Sequence, residues 1–580
     1  MPRTPRTTRR ATAAAAAALV GLAGLAAAPA SASSGERGRA WQEQSWQEQS
    51  WQEELAPELL HAPVAERAAA TAGVRGIDLD AATIPQLQER MAAGRLSAVQ
   101  LTRAYLRRIR AVDPELGAVL AVNPAALAEA RASDRQRRRG GPRGPLEGVP
   151  VLLKDNVDAQ GMATTAGSRA MLGTRPDDAT LTAKLRAAGA VVLGKANLSE
   201  WANFRGDGST SGWSGVGGQT GNPYVLDRNP CGSSSGSGAA VAASLAQVAI
   251  GTETDGSIVC PAGANGVVGV KPTLGLVSRD GVVPISAEQD TAGPMARHAV
   301  DAAIVLDVIA GEDPADAATL ANPDTDVDYT DLDADALEGA RVGVWTLTDA
   351  EREAVGPDTA EVFDRAAKEI EAAGATTVPV QLDYLDLVGQ NEGPALVSEF
   401  KRDLNAYLAA TPGAPADLAA VIAFNEQDPV ELEYFGQETM IAAQEGEVPA
   451  DDAAARAARI VARSLARASI DEALAQGPGA EDDLDAVVGL TGTPAWKTRY
   501  LSVDGEADRF AFATSTPAAV AGYPNVAVPA GFAGPSGALP VGVSFIGAQW
   551  DDAGVLELAY SFEQAVQARR APGYLPTLGE

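Results

Sequence analysis

The feature that most restricts what this chain can fold into is a series of short apolar runs, alternating with stretches of helical period. In GVPVLLKDNVD, Val149, Val151, Leu152 and Leu153 predict a strand buried on both faces that delivers Lys154 at its end. A helix over Ala179 to Ala188 and a second apolar run, AVVLGKAN, repeat the pattern, and VVGVKPT, VGVW, TTVPV, DAVVGL, NVAVPAG and LPVGVSFIG extend it. Upstream, IPQLQERMAAGRLSAVQLTRAYLRRI predicts two amphipathic helices separated at Gly94. Strands and helices in alternation imply an α/β fold, a mixed sheet covered by helices. Between about Asp383 and Ala475 the composition is mostly helical, a cap or inserted layer.

The N-terminus reads differently. Residues 1–32 combine Arg3, Arg6, Arg9 and Arg10 with an Ala/Leu run and small-residue A-x-A sites, the pattern of a secretory signal peptide. The run is short and rich in alanine against the ~20 apolar residues of a membrane span. Arg9-Arg10 leaves the twin-arginine route open. Residues 33–75, with the repeat WQEQSWQEQSWQEE, predict a low-complexity linker, and folded sequence is expected over 76–577 as one domain. The mature protein is thus expected to be extracellular, monomeric and free of the membrane.

A net charge of −30 opposes sequence-independent binding to nucleic acid or anionic lipid, which needs a positive field. The basic stretch RQRRRGGPRG, Arg135 to Gly144, reads as a solvated loop, and the Asp-rich stretch near Asp324, with Tyr329 where a calcium loop needs glycine, as an acidic linker. Two cysteines are too few for a disulfide framework, and Cys231 and Cys260 are expected as two buried thiols rather than one bond. No HExxH or CxxC spacing is present, so neither a metal nor another cofactor is expected.

The Gly/Ser-rich segment Gly206 to Gly238 resembles two phosphate loops and fails as both. No lysine follows Gly232 as a P-loop requires, and Val241 stands where a dinucleotide loop needs its third glycine. It is expected to be a long loop bringing backbone N–H groups near a ligand, followed by an Ala-rich helix over Gly238 to Val248 and a tight turn over Thr252 to Ser257.

In GTETDGSIVCPA, Ser257 is a candidate nucleophile without a histidine to serve it. His61 falls in or near the linker and His298 at the start of a helix, with no carboxylate motif to orient it. Arginine stays protonated, which leaves seven lysines, and burial can make a lysine a base by disfavouring its charged form. Lys154 has the most apolar lead-in, ahead of Lys271 and Lys195.

KDNVDAQGMATTAGS, GSSSGSGAAVAA, GTETDGSIVCPA, GVKPTLGLVSRDGVVPIS and DTAGPMAR, in that order, resemble the amidase signature family. SEWANFR, SGWS, GGQTGNPY and RNPCGSSSGSG are similar to its peptide amidase subgroup, which removes the C-terminal amide of peptides. The resemblance runs from about Gly76 to Pro572. It implies the family's twisted mixed sheet with helices on both sides, and a Ser, cis-Ser, Lys triad. Ser257 is then the nucleophile, Ser233 the bridging serine after a cis peptide, Lys154 the base, and Ser234 a supporting hydroxyl. The backbone N–H groups of Thr254, Asp255, Gly256 and Ser257 form the implied oxyanion hole. Asp255 and Val259 stand where much of the family has glycine and arginine, a trait of the subgroup, and the Asp255 side chain is expected to point away and bond neighbouring loops. The substrate implied is a peptide amide. The alternatives are fatty-acid or aryl amides, an inactive binding protein, and the amidase component of a tRNA-dependent amidotransferase.

Overall fold

A computed structural model describes residues 59, 61–206, 208–446, 453–476, 483–500 and 514–579. The predicted signal peptide and the Trp repeat lie outside the described residues. The strands of the main sheet are β1 (Val119–Val122), β2 (Pro150–Lys154), β3 (Val191–Ala196), β4 (Val248–Glu253), β5 (Val268–Lys271), β6 (Thr291–Ala296), β7 (Arg341–Trp345), β8 (Thr376–Val380), β9 (Ala486–Leu490), β10 (Asn525–Ala533) and β11 (Leu539–Ile546). They form one mixed sheet in the order β8-β7-β9-β11-β10-β5-β6-β4-β2-β3-β1. β4, β2 and β3 run parallel, with Leu153 opposite Ile250 and Lys195. Every residue of β2, β3 and β4 is buried, which is why these strands read as unbroken apolar runs: helices cover both faces.

The two predicted N-terminal helices are Ile84–Ala92 and Ala98–Leu116. Each starts at a capping box, Thr83 with Gln86 and Ser97 with Gln100, which satisfies N–H groups that the first turn leaves unpaired. Folded structure begins earlier than residue 76. The helix Val64–Thr71 lies in the segment read as linker and packs on Ala98–Leu116, anchored by Arg108 Nη1 donating to Ala68 O at 2.7 Å.

Three further expectations are corrected. The helix after the Ser/Gly loop is Ser235–Ala242, not 238–248, and Val248 to Glu253 belong to β4. Pairing of Val248 and Ile250 in the buried sheet outweighs the helical bias of the alanines before them. Arg135 to Arg139 are not loop but the last turns of the helix Ala126–Gly140, where arginines propagate a helix well and suit the negative end of its dipole. Cys231 and Cys260 are joined in a disulfide, with Cα atoms 5.9 Å apart, because the helix Val259–Asn265 turns Cys260 back against the residue before Gly232.

The predicted helical layer comprises Leu385–Ala410, Leu418–Asn425, Glu438–Glu445 and Ala453–Leu474. Among the described residues no helix is long and apolar enough to cross a membrane.

Candidate active site

The C-terminal ends of β2 and β4 lie side by side, and the site grows from them. β2 carries Lys154, fully buried; its Nζ donates to Ser233 Oγ at 2.7 Å, Thr252 Oγ1 at 2.8 Å and Thr252 O at 3.1 Å. Burial pulls its pKa down to about 7, partly opposed by the carboxylates of Asp290 and Glu253. Asn156 Nδ2 holds Thr252 Oγ1 from the other side at 2.9 Å.

Ser233 follows a cis peptide bond after Gly232. The loop lies close beneath its neighbours: a Cβ added to Gly232 would stand 2.2 Å from Ser199 Oγ, and one on Gly236 would stand 2.4 Å from Ala118 O. The glycines are therefore there for close packing. Ser234 ties this loop to both other parts of the site. Its Oγ donates to Thr252 O at 3.1 Å, and its N–H donates to Ser257 O at 3.1 Å.

Ser257 sits between β4 and the helix Val259–Asn265, in a turn closed by Glu253, whose Oε2 accepts from the N–H groups of Ile258 at 2.7 Å and Val259 at 3.0 Å. Gly256 has φ of 75°, the left-handed region that favours glycine. Among the described residues, no protein group accepts from the N–H groups of Thr254, Asp255, Gly256 or Ser257, and no hydrogen bond joins Ser233 Oγ to Ser257 Oγ. Ser257 faces a cavity of about 410 Å³ with Phe204, Ile285, Leu396 and Trp496 among its apolar walls.

Asp255 also borders this cavity, and its Oδ2 accepts from Thr516 Oγ1 at 2.7 Å, so the carboxylate bonds the first turn of the helix Ser515–Ala521 rather than a loop. Burial pushes its carboxyl up, and burial together with Asp255 pushes Glu392, from the helical layer, up to about 8. Gln289 bridges the two regions, its Nε2 donating to Thr254 O at 2.9 Å and Glu392 Oε1 at 2.6 Å. Thr252 and Asp290 carry no assigned role in sequence, although they stand in GTETDGSIVCPA and DTAGPMAR, and Gln289 and Glu392, which stand in no such motif, went unnoticed there.

The competing lysines are engaged elsewhere. Lys195 pairs with Asp155 at 3.0 Å and donates to Val157 O at 2.7 Å; Lys271, lowered to about 8 by burial, donates to Pro272 O at 2.9 Å. His298 does face a carboxylate, Glu563 at 3.7 Å, contrary to expectation, yet neither histidine lines the cavity.

A buried lysine bonded to one serine, with a second serine on an adjoining turn of free N–H groups, is an arrangement that can serve hydrolysis without a histidine. The chain belongs to the amidase signature family: the Amidase family model matches residues 100–556. A probable amidase of Arabidopsis thaliana is 37% identical over 85% of this chain and 92% of its own length. A component of the glutamyl-tRNA(Gln) amidotransferase of Geobacter metallireducens is 34% identical over 83% and 97%. The crystal structure of native peptide amidase from Stenotrophomonas maltophilia is 50% identical with a TM-score of 0.80, covering 85% of this chain and 98% of that one. The protein is an amide-hydrolysing enzyme of that family.

Proposed function

We propose that the protein hydrolyses the C-terminal carboxamide of peptides to carboxylate and ammonia, outside the cytoplasm and as a monomer. The observation that carries the chemistry is the 2.7 Å contact between Lys154 Nζ and Ser233 Oγ in a buried setting that brings the lysine's pKa to about 7. A neutral amine has two N–H donors and one lone pair. Thr252 O and Thr252 Oγ1 take the two donors, which leaves the lone pair for the Ser233 hydroxyl.

Ser233 then passes the Ser257 proton to Lys154 as Ser257 Oγ attacks the amide carbon. This relay requires the two hydroxyls to close on one another, the tightening that catalytic hydrogen bonds undergo when substrate binds. The tetrahedral oxyanion is held by the free N–H groups of residues 254–257, where one such donor is worth on the order of 3 kcal/mol. Asp255 would oppose that charge; its bond to Thr516 keeps one carboxylate oxygen turned to the start of the helix Ser515–Ala521. The proton returns through Ser233 to the leaving nitrogen, and water hydrolyses the acyl-enzyme by the reverse route.

Support for a peptide substrate is the 50% identity to a peptide amidase and the cavity's mixture of apolar walls with Asn203, Ser209, Ser211 and Thr516. A solved complex of such an enzyme holds the competitive inhibitor chymostatin. Export is supported by the signal-peptide pattern of residues 1–32 and by the disulfide, a bond that persists in oxidising compartments. The test is ammonia release from amidated dipeptides, fatty-acid amides and benzamide. Release from the peptide amides is expected, and release from the others alone would overturn the substrate.

A further inference from the structure

Residues 201–203 follow a backbone course that L-amino acids resist. Trp201, Ala202 and Asn203 have φ of 51°, 54° and 71°, three left-handed non-glycine residues in succession, where such residues ordinarily occur singly. The turn is pinned by Trp201 N–H to Ala166 O, Ala202 N–H to Ser199 O and Phe204 N–H to Trp201 O, each at 2.9 Å. Its result is that Ala202, Asn203 and Phe204 all line the cavity over Ser257. Strain of this kind, held by its surroundings, concentrates where a site needs it.

Asn203 is what the turn delivers. Its Nδ2 donates to Ser211 Oγ at 3.1 Å, which fixes the amide plane. Its Oδ1 is buried and accepts from no group of the protein, and it lies 3.2 Å from the point where a Cβ on Gly232 would stand. A buried carbonyl oxygen without a donor is costly unless a ligand supplies one. Asn203 and Gly232 both line the cavity and Gly232 immediately precedes Ser233, so this acceptor lies beside the segment that carries the bridging serine.

We propose that Asn203 Oδ1 accepts an N–H from the –NH2 group of the scissile carboxamide and makes the enzyme selective for primary amides over esters. This rests on the relay through Ser233 proposed above. In the tetrahedral adduct the nitrogen holds two N–H bonds and one lone pair, and the lone pair must face the Ser233 hydroxyl to take its proton. An acceptor on one N–H fixes that orientation. As the proton arrives the C–N pair leaves with nitrogen, the oxyanion reforms the carbonyl, and ammonia departs carrying the proton first taken from Ser257. A methoxy leaving group has no N–H and draws nothing from Asn203.

The experiment compares a dipeptide amide with the matching dipeptide methyl ester in wild type, Asn203→Leu, Asn203→Asp and Ser211→Ala. Loss of a hydrogen bond to a nitrogen that gains positive charge is expected to lower kcat/KM for the amide about 10- to 100-fold in Asn203→Leu, with the ester within about threefold. Asn203→Asp keeps the acceptor and retains more amide selectivity than Asn203→Leu. Ser211→Ala, which only frees the amide plane, shifts the ratio less in the same direction. An unchanged amide-to-ester ratio in Asn203→Leu, whether both rates fall together or neither falls, overturns the proposal. If wild type instead cleaves only benzamide, the peptide substrate is wrong, and the same ratio read with benzamide and methyl benzoate still decides the role of Asn203.

Discussion

In the proposed relay Lys154 is the base, and its protonation would link activity to stability. Lys154→Ala is expected to lower kcat about 10²- to 10⁴-fold at neutral pH, the range for a lost general base. In wild type kcat should rise with pH through about 7 as the lysine deprotonates. The same shift has a thermodynamic sign. With a folded-state pKa of about 7 against an ordinary 10.5, the unfolded chain binds the extra proton throughout that interval, so this group's contribution to stability rises from about pH 7 to 10.5 and is least favourable below it. Lys154→Met should therefore gain melting temperature over wild type more below pH 7 than at about pH 10. A gain of equal size at both would mean that the lysine titrates normally. Lys154 stood out in sequence because an apolar run led into it. Its partner Thr252 did not, since a threonine at the end of a strand has no pattern until the neighbouring strand is laid beside it.

The turn that carries Ser257 is an element with two clamps, Glu253 on the N–H groups of Ile258 and Val259 and the Cys231–Cys260 disulfide behind it. The disulfide joins the segment before Ser233 to the one after Ser257, closing a loop of 29 residues. The chain-entropy account puts its stabilisation at about 3–4 kcal/mol for a loop of that size. Cys231→Ser with Cys260→Ser should lower the melting temperature and reduce kcat more than it raises KM, read from melting curves and steady-state kinetics. Unchanged values would make the bond incidental to the turn. The pairing was not legible in sequence: spacing alone does not say that a seven-residue helix will turn Cys260 back on Cys231. β2 and β3 were legible because burial on both faces leaves them nearly all apolar, whereas β1 and β6 were not read as strands. The boundary at Val248 was missed because a small-residue helix and a buried strand are both written in Ala and Val.

At the scale of the molecule, the helical layer is fastened to the sheet domain through buried charges. Arg205 Nη1 meets Glu200 at 2.8 Å and Glu431 at 3.2 Å, its Nε donates to Gly436 O at 2.9 Å, and its guanidinium stacks over Trp213. Arg459 ties two helices of the layer together at Glu399 and reaches out of it to Gln289 Oε1, on the loop before β6. Burial and Glu431 push Glu200 well up, so the two glutamates depend on the arginine between them. Arg205→Leu should cost about 3–5 kcal/mol, the range for stranding a buried charge, and expose residues 428–436 to limited proteolysis. A variant as stable and as protease-resistant as wild type would show that Arg205 does not hold the layer down.

By itself the sequence determined the α/β class, eight of the eleven strands of the sheet, and the residue types around Ser257, since each is written in local period or in contiguous motif. The tertiary structure alone decided how the segments meet. It joined the cysteines, set Thr252 against Lys154, brought Glu392 within the field of Asp255, and left Asn203 Oδ1 buried without a donor. The first three are contacts between residues far apart in the chain, and all four are fixed by the order of strands and the packing of loops and helices upon them.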